Sequence, residues 1–375
     1  MRCARRSVAV ARADATDAVG SSGSTASPAA HVRSIRSAAA APAACTATRR
    51  ASPCRALACD EFIVHTLAIA GDDGLVVSSE VWLAAARPRT LPAAISPVLV
   101  GTAAATRFVA WRMLAALVVA VAIQVAVNFA NDYFDGVRGV DTADRRGPRR
   151  AVAAGLVRPE QMRRAMVVAL VAAAAAGVAL AAAAGWVLVL VGGLCFAAAV
   201  GYSGGPRPYA SAGLGEVFVF VFFGLVATVG SAYVQDESLR WLPAIAAVPV
   251  GLLSVALLVV NNLRDIPTDT RVGKRTVAVR LGERRTFYLF IVLINVAILW
   301  TGLVALVALS VWPAMAFGAL PLALVAQNRT ADGLEADDPA LLVVGLAATG
   351  RLQLLYGLLL AAGLSVASVA PGGFF

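Results

Sequence analysis

Long uncharged apolar runs alternate along this chain with short, strongly basic segments. Ala165 to Tyr202, Gly251 to Leu263 and Thr286 to Asn328 contain no charged side chain, and about 20 apolar residues suffice to cross a bilayer as a helix. Backbone polar groups find no partner in hydrocarbon, so these runs are predicted to be helical. From Val81 onward the pattern predicts nine spans, at 90–106, 112–131, 163–182, 185–203, 213–234, 241–263, 286–306, 308–327 and 350–370. The two longest runs divide at Ala184-Gly185 and near Trp312-Pro313, where Gly or Pro serves a turn. The expected fold class is all-α, a polytopic helical bundle in the lipid bilayer.

Charge then orients the bundle. With the amino end inside, the loop after the second span carries eight Arg from Arg138 to Arg164, and the loop after the sixth carries six Arg plus Lys274 from Arg264 to Arg285. The opposite loops offer only Arg107, Arg112 and Arg240. The excess of basic residues in cytoplasmic loops places both large loops, and whatever chemistry they border, on the cytoplasmic face of a cell membrane.

Composition narrows the chemistry. Apolar residues make up 59% and charged residues 14%, against about 25% charged in soluble domains, which excludes an ordinary soluble enzyme. Both His (His31, His65) and four of five Cys lie in the first 65 residues, leaving Cys195 alone in the hydrophobic remainder. Past residue 65 there is thus no imidazole or thiolate metal site and no His base. Any metal there needs oxygen ligands, which favours a hard cation such as Mg2+. Cys195, in the middle of a span, reads as a packing residue. Lys274 is the single lysine among 32 basic residues. No nucleic-acid partner is expected, and oligomeric state is not readable.

Residues 1–80 differ in kind. Ser, Ala and Arg dominate, and the first 59 residues hold nine Arg against Asp14 and Asp17. A segment of this composition cannot bury enough apolar surface to order itself. It reads as a plastid-type transit peptide, a cytoplasmic basic tail, or a misassigned start with the true one near Val77 to Trp82; the last is favoured, since no apolar signal core is present. Residues 81–375 form the expected membrane domain.

Two acidic clusters mark the candidate site. The second span ends in Asn128-Phe-Ala-Asn131-Asp132-Tyr-Phe-Asp135-Gly-Val-Arg138, and spacings of three and four residues put Asn128, Asn131, Asp132 and Asp135 on one helical face. The sixth span ends in Asn261-Asn262-Leu-Arg264-Asp265-Ile-Pro267-Thr-Asp269, followed by Gly273-Lys274 and Arg280. Pro267 disfavours helix at Ile266, so Asp265 and Asp269 are expected to straddle a helix end. Asp132 and Asp265 stand 133 residues apart, each after an Asn at the cytoplasmic end of a long span, a weak internal repeat. Singly, such acids are loop charges paired with Arg. Together, Asp132, Asp135, Asp141, Asp265 and Asp269 are candidate ligands for Mg2+, which favours sharing with phosphate oxygens. Lys274, Arg138, Arg145, Arg280 and Arg207 are candidates for holding a diphosphate by charge-assisted hydrogen bonds. The implied ligand is a lipid diphosphate.

On these motifs the chain resembles the UbiA superfamily of intramembrane prenyltransferases. Further segments point to its menaquinone-pathway branch: Ala86-Arg87-Pro88-Arg89-Thr90-Leu91-Pro92, Arg146-Gly147-Pro148-Arg149 after Asp141, Tyr202 to Tyr209 leading to Gly213-Leu-Gly215-Glu216, and Gly273-Lys274-x-Thr276 with Arg280-Leu-Gly282. The resemblance covers residues 81–370. It implies a nine-helix bundle that transfers a polyprenyl group from polyprenyl diphosphate to 1,4-dihydroxy-2-naphthoate with loss of CO2, with Mg2+ as cofactor. It also implies catalytic roles for Asp132, Asp135, Asp265, Asp269 and Lys274, and an acceptor and prenyl pocket from Arg89, Asn128, Asn131, Tyr202, Tyr209, Asn261 and Asn262. Two departures stand out. Gly139 occupies a position where many members carry Asp, with Asp141 two residues on, and Arg207 replaces a Lys common in the branch. Rival readings are a sibling enzyme with another aromatic acceptor, a phytyl transferase if the leader is a transit peptide, and a cation-binding transporter.

Side chains outside the motifs read less sharply. Glu216 either faces the central cavity or complements a helix dipole. Phe218, Phe220, Phe222, Phe223 and Tyr233 either line a tail channel or face lipid.

Overall fold

The computed structural model describes residues 77–139, 147, 150–205 and 208–369. All regular elements among them are helical: α1 (Ser79–Ala86), α2 (Pro92–Ala103), α3 (Ala110–Val137), α4 (Pro159–Ala184), α5 (Val187–Ser203), α6 (Gly215–Asp236), α7 (Trp241–Arg271), the short α8 (Val277–Leu281), α9 (Glu283–Val307), α10 (Leu320–Glu335) and α11 (Pro339–Val369). Short 3-10 turns at Pro88–Thr90, Tyr209–Ala212 and Trp312–Ala319 link them.

Six helices among the described residues, α3, α4, α6, α7, α9 and α11, are long and apolar enough to cross a membrane. The other three expected spans are shorter pieces: 90–106 and 185–203 appear as the apolar helices α2 and α5, and 308–327 is divided between the Trp312–Ala319 turn and α10. Pro92 starts α2, where a missing N–H costs nothing. Gly185, at φ 128, breaks the longest apolar run into α4 and α5, a conformation that only glycine adopts without strain.

The bundle is organised on α7, of whose apolar window 72% is buried, against 22–44% for the other five long helices. Leu253, Val260, Phe290, Ile294, Leu352 and Tyr356 form its contact with α9 and α11. Lipid is as apolar as these side chains, so association rests on close packing of small residues more than on transfer from water. Gly357 of α11 lies against α2, where an added Cβ would meet Ser96 Cβ at 2.6 Å. Gly357→Leu is therefore expected to destabilise the protein by about 1–3 kcal/mol, seen as a lower melting temperature in detergent; an unchanged melting temperature contradicts this packing.

Two backbone features depart from the expectation. Pro267 does not end its helix: α7 runs on to Arg271, so Asp265 and Asp269 are one turn apart on a continuous helix. Pro267 lacks the N–H that would bond the Leu263 carbonyl one turn back, and beside that gap Thr268 and Thr270 donate their hydroxyls to the Asp265 and Ile266 carbonyls at 2.9 and 2.7 Å. In α6, Phe220–Val226 are wound as a π-helix, a form found in short stretches and often beside functional sites. It lets Gly224 approach Gly251 of α7, where a Cβ would lie 2.6 Å from the Gly251 Cα.

Candidate active site

The ends of α3, α5 and α7 and the segment after α7 enclose a polar cleft of about 70 Å³. Its walls include Asn131 and Asp135 of α3, Tyr202 and Ser203 of α5, Asn261, Asn262, Asp265 and Asp269 of α7, and Arg150, Lys274 and Thr276. Four-residue spacing explains the alignment: Asn131 and Asp135 follow one another on α3, as Asn261, Asp265 and Asp269 do on α7. The two acidic clusters thus converge, as the sequence predicts.

The acids are held by cations. Lys274 bridges the clusters, with its Nζ 3.4 Å from Asp135 Oδ2 and 3.7 Å from Asp269 Oδ1. Arg150 Nη2 donates to the same Asp135 oxygen at 3.3 Å. Arg264 is buried and makes a two-pronged bond to Asp265, Nε to Oδ1 and Nη2 to Oδ2, both at 2.8 Å, while Nη2 also reaches Asn261 Oδ1 at 3.0 Å. A buried carboxylate persists in its charged form only with such partners. Ser203 donates to Asn131, and Asn262 donates to Glu216 at 3.1 Å.

Asp132 takes a different place. Its carboxylate accepts the N–H groups of Ala151 and Val152, both at 3.0 Å, and it does not line the cleft. It holds the 151–157 turn against α3, whereas Asp135 enters the cleft. Arg138 also departs from its assigned diphosphate position: its guanidinium donates to the Ser203 and Gly205 carbonyls at 2.9 and 2.6 Å, tying down the carboxyl end of α5. Arg280 Nη2 donates to the Ala212 carbonyl at 2.6 Å and secures the turn before α6. Arg89 is exposed and lines neither cavity. Asp141, Arg145 and Arg207 lie outside the described residues.

Below the cleft, inside the bundle, lies an apolar cavity of about 490 Å³. Val119, Ile123 and Val127 of α3, Gly177 of α4, Phe196 of α5, and Phe218, Phe222 and Phe223 of α6 are among its walls. Phe220 instead packs toward Gly251, and Tyr233 lies outside the lining. One wall is an aromatic ladder: Tyr202 meets Tyr209 edge-on at 5.5 Å, Tyr209 stacks on Phe218 at 4.1 Å, and Phe218 on Phe222 at 5.9 Å. The Tyr209 hydroxyl donates to the Ala198 carbonyl at 2.7 Å, and burial raises its phenol above the usual range, keeping it neutral. Arg87, Asn131, Tyr202 and Asn261 line both cavity and cleft. They form the neck between them.

Asn128 supports that neck from behind. Its Nδ2 donates to the Ala86 carbonyl at 2.8 Å and to Thr90 Oγ1 at 3.1 Å. The residues overlooked by sequence reasoning are Arg87, Arg150 and Arg264. Arg87 and Arg264 stand inside motifs quoted for other members, and the buried Asp265 itself demands a cation such as Arg264.

Whether the cleft suits a metal is a matter of donor chemistry. Among the described residues no three acids come close enough to hold an ion by themselves. The cleft's carboxylates and amides are nonetheless oxygen donors, the kind a hard divalent cation takes together with ligand oxygens. The donor set fits a cation brought in with a diphosphate better than a resident ion caged by protein alone.

Comparison with known proteins gives concordant results. Residues 94–344 match the UbiA prenyltransferase family. The chain is 44% identical over 287 residues to a 1,4-dihydroxy-2-naphthoate octaprenyltransferase of Mycobacterium tuberculosis (strain ATCC 25618 / H37Rv), covering 76% of this chain and 96% of that protein. It is 41% identical to the protein of the same name in Escherichia coli (strain K12), over 55% of this chain and 70% of that one. Among solved structures, an apo UbiA homolog from Aeropyrum pernix K1 aligns with a TM-score of 0.50 at 17% identity, over 78% of this chain and 99% of that one.

Proposed function

We propose that this chain, which belongs to the UbiA prenyltransferase family, transfers a polyprenyl group from polyprenyl diphosphate to 1,4-dihydroxy-2-naphthoate, giving demethylmenaquinone in its quinol form with release of CO2 and diphosphate. One observation carries the reading: a small cleft lined by acids, amides and cations adjoins a much larger apolar cavity, the two sharing Arg87, Asn131, Tyr202 and Asn261 as walls. That is the shape of an amphiphile with a diphosphate head and an isoprenoid tail. The 44% identical M. tuberculosis relative, named for this acceptor, supports the choice of aromatic partner.

The chemistry follows from the residues. Lys274 and Arg150 stabilise negative charge as the allylic C–O bond breaks and its electron pair leaves with the diphosphate, a gain realised mostly in the transition state. A divalent cation, Mg2+ in our reading, would be held by Asp135, Asp265 and Asp269 and would neutralise leaving-group charge. The ladder of Tyr202, Tyr209, Phe218 and Phe222 shields the allylic carbon from water and presents aromatic faces to its positive charge. A bond then forms between that carbon and the ring carbon bearing the carboxylate. CO2 departs and returns its electron pair to the ring, so no ring proton has to be removed and no protein nucleophile is needed.

We further assign the cleft to the cytoplasmic face, on the distribution of basic loops. Nine membrane segments are assigned by counting α2, α5 and α10 with its preceding turn as short spans, and residues 81–375 are taken as the catalytic domain. Purified protein in detergent, given polyprenyl diphosphate, dihydroxynaphthoate and Mg2+, is expected to form the prenylated quinol. Turnover only with 4-hydroxybenzoate or homogentisate would move the protein to a sibling activity. Retention of both substrates without turnover would favour a carrier.

A further inference from the structure

Arg87 holds an unusual backbone conformation. Its φ of 53 and ψ of 69 lie in the left-handed region, uncommon for a residue with a side chain, and Pro88 after it favours extended backbone instead. Such strain persists only where neighbours impose it. Here they do. The Arg87 carbonyl accepts both the N–H and the hydroxyl of Thr90 at 2.9 Å. Thr90 Oγ1 in turn accepts from Gln124 and Asn128 of α3, each at 3.1 Å, and Asn128 also takes the Ala86 carbonyl at 2.8 Å. Two amides buried in a membrane span are thereby committed to one corner of the chain, and that corner sends the Arg87 side chain into the neck.

The neck is where substrate chemistry changes from polar to apolar. Of the described residues lining both cleft and cavity, Arg87 is the cation; Asn131, Tyr202 and Asn261 are neutral. Lys274 and Arg150 belong to the cleft lining alone, beside Asp135, where the diphosphate is assigned. The carbon that reacts lies between head and tail, so the acceptor ring must occupy the neck. There Tyr202 offers an aromatic edge, and a planar guanidinium matches a carboxylate with two parallel hydrogen bonds.

We propose that Arg87 binds the carboxylate of the aromatic acceptor and so selects aromatic acids, with Thr90, Gln124 and Asn128 as positioning residues that hold it in register. The proposal rests on the prenyl-transfer reading above and names the acceptor subsite within it.

The test measures binding apart from turnover. 1-Hydroxy-2-naphthoate and its carboxamide differ only in the group Arg87 would read, and their affinities for the purified protein follow from naphthalene fluorescence. Wild-type protein is expected to prefer the acid by about tenfold or more. Arg87→Gln is expected to remove that preference while leaving the amide's affinity and the KM for polyprenyl diphosphate within about twofold. Arg87→Lys should keep part of it, since charge remains but the two-pronged geometry is lost. Thr90→Val, which preserves side-chain shape, should reduce it in the same direction, an effect that general loosening would not produce selectively.

Equal binding of acid and amide by wild-type protein overturns the proposal, as does an Arg87→Gln protein that retains the preference, loses both probes together, or raises only the diphosphate KM. A wild-type protein that prefers the acid yet makes no prenylated quinol would instead overturn the reaction reading. The two failures are therefore separable.

Discussion

Asp135→Asn is expected to lower turnover by about a thousandfold or more, while Asp132→Asn lowers stability first and activity only as the folded fraction falls. The two acids stand three residues apart on α3, yet they are placed in different work. Asp135 faces Lys274 and Arg150 in the cleft, at 3.4 and 3.3 Å. Its replacement removes the anion that orders both cations and one assigned ligand of the divalent ion, and losses at preorganised electrostatic groups run to about 10²–10³ each. Asp132 instead accepts the backbone N–H groups of Ala151 and Val152. An Asn side chain has one oxygen and can accept one of them, leaving the other N–H opposite an amide donor. A buried hydrogen bond to a charged group contributes about 1.5–3 kcal/mol, so the melting temperature should drop by several degrees. Specific activity of the folded Asp132→Asn protein, normalised by a binding or chromatographic measure of folded material, is the deciding readout. A thousandfold loss in a fully folded Asp132→Asn protein would return Asp132 to the reacting centre, and near-normal turnover of Asp135→Asn would remove the cleft as the site.

The pair also shows where sequence reasoning stops. With 3.6 residues per turn, positions three apart differ by about 60° around the helix axis, close enough to share a broad face and far enough to point at different neighbours. The sequence pattern placed both acids near the carboxyl end of α3, and only the 151–157 turn decides which of them sees the cleft. Arg87 and Arg89 are a similar case: the sequence reading chose Arg89 from the Arg87-Pro88-Arg89 segment, whereas it is Arg87, at the strained turn before Pro88, that lines the cleft and the cavity. Pro267 misled for a local reason. Its cost falls in the last turns of α7, where a single backbone bond is lost and Thr268 and Thr270 add hydroxyl bonds to the carbonyls of Asp265 and Ile266 beside it. The apolar spans and the convergence of the acidic ends were legible because each follows from charge and apolar length, which tertiary contacts do little to alter, whereas the position of Lys274 between Asp135 and Asp269 emerges only from the fold. Span number was less so: a 12-residue helix such as α2 is covered partly by flanking turns, and sequence length alone does not reveal that.

Lys274→Met is expected to cut turnover by about 10²–10³ and, in the same protein, to lower the concentration of Mg2+ that gives half-maximal activity. The ammonium lies between Asp135 and Asp269, 3.4 and 3.7 Å from their nearest oxygens. Two unit charges about 4 Å apart near a protein surface interact by about 4 kcal/mol, so removing the lysine exposes the acids to each other and leaves a site of greater negative charge for a divalent cation. Turnover nevertheless falls, because the donor that meets the departing diphosphate is gone and a cation drawn deeper between the acids does not replace its hydrogen bonds. Lys274→Arg should recover part of the rate, since charge is retained while the donor geometry changes, and its Mg2+ dependence should stay near wild type. Activity measured against Mg2+ concentration at saturating prenyl diphosphate separates the two effects. If Lys274→Met keeps turnover within threefold of wild type, or needs more Mg2+ instead of less, then the bridge between α3 and α7 is a structural tie and the diphosphate is held elsewhere in the cleft.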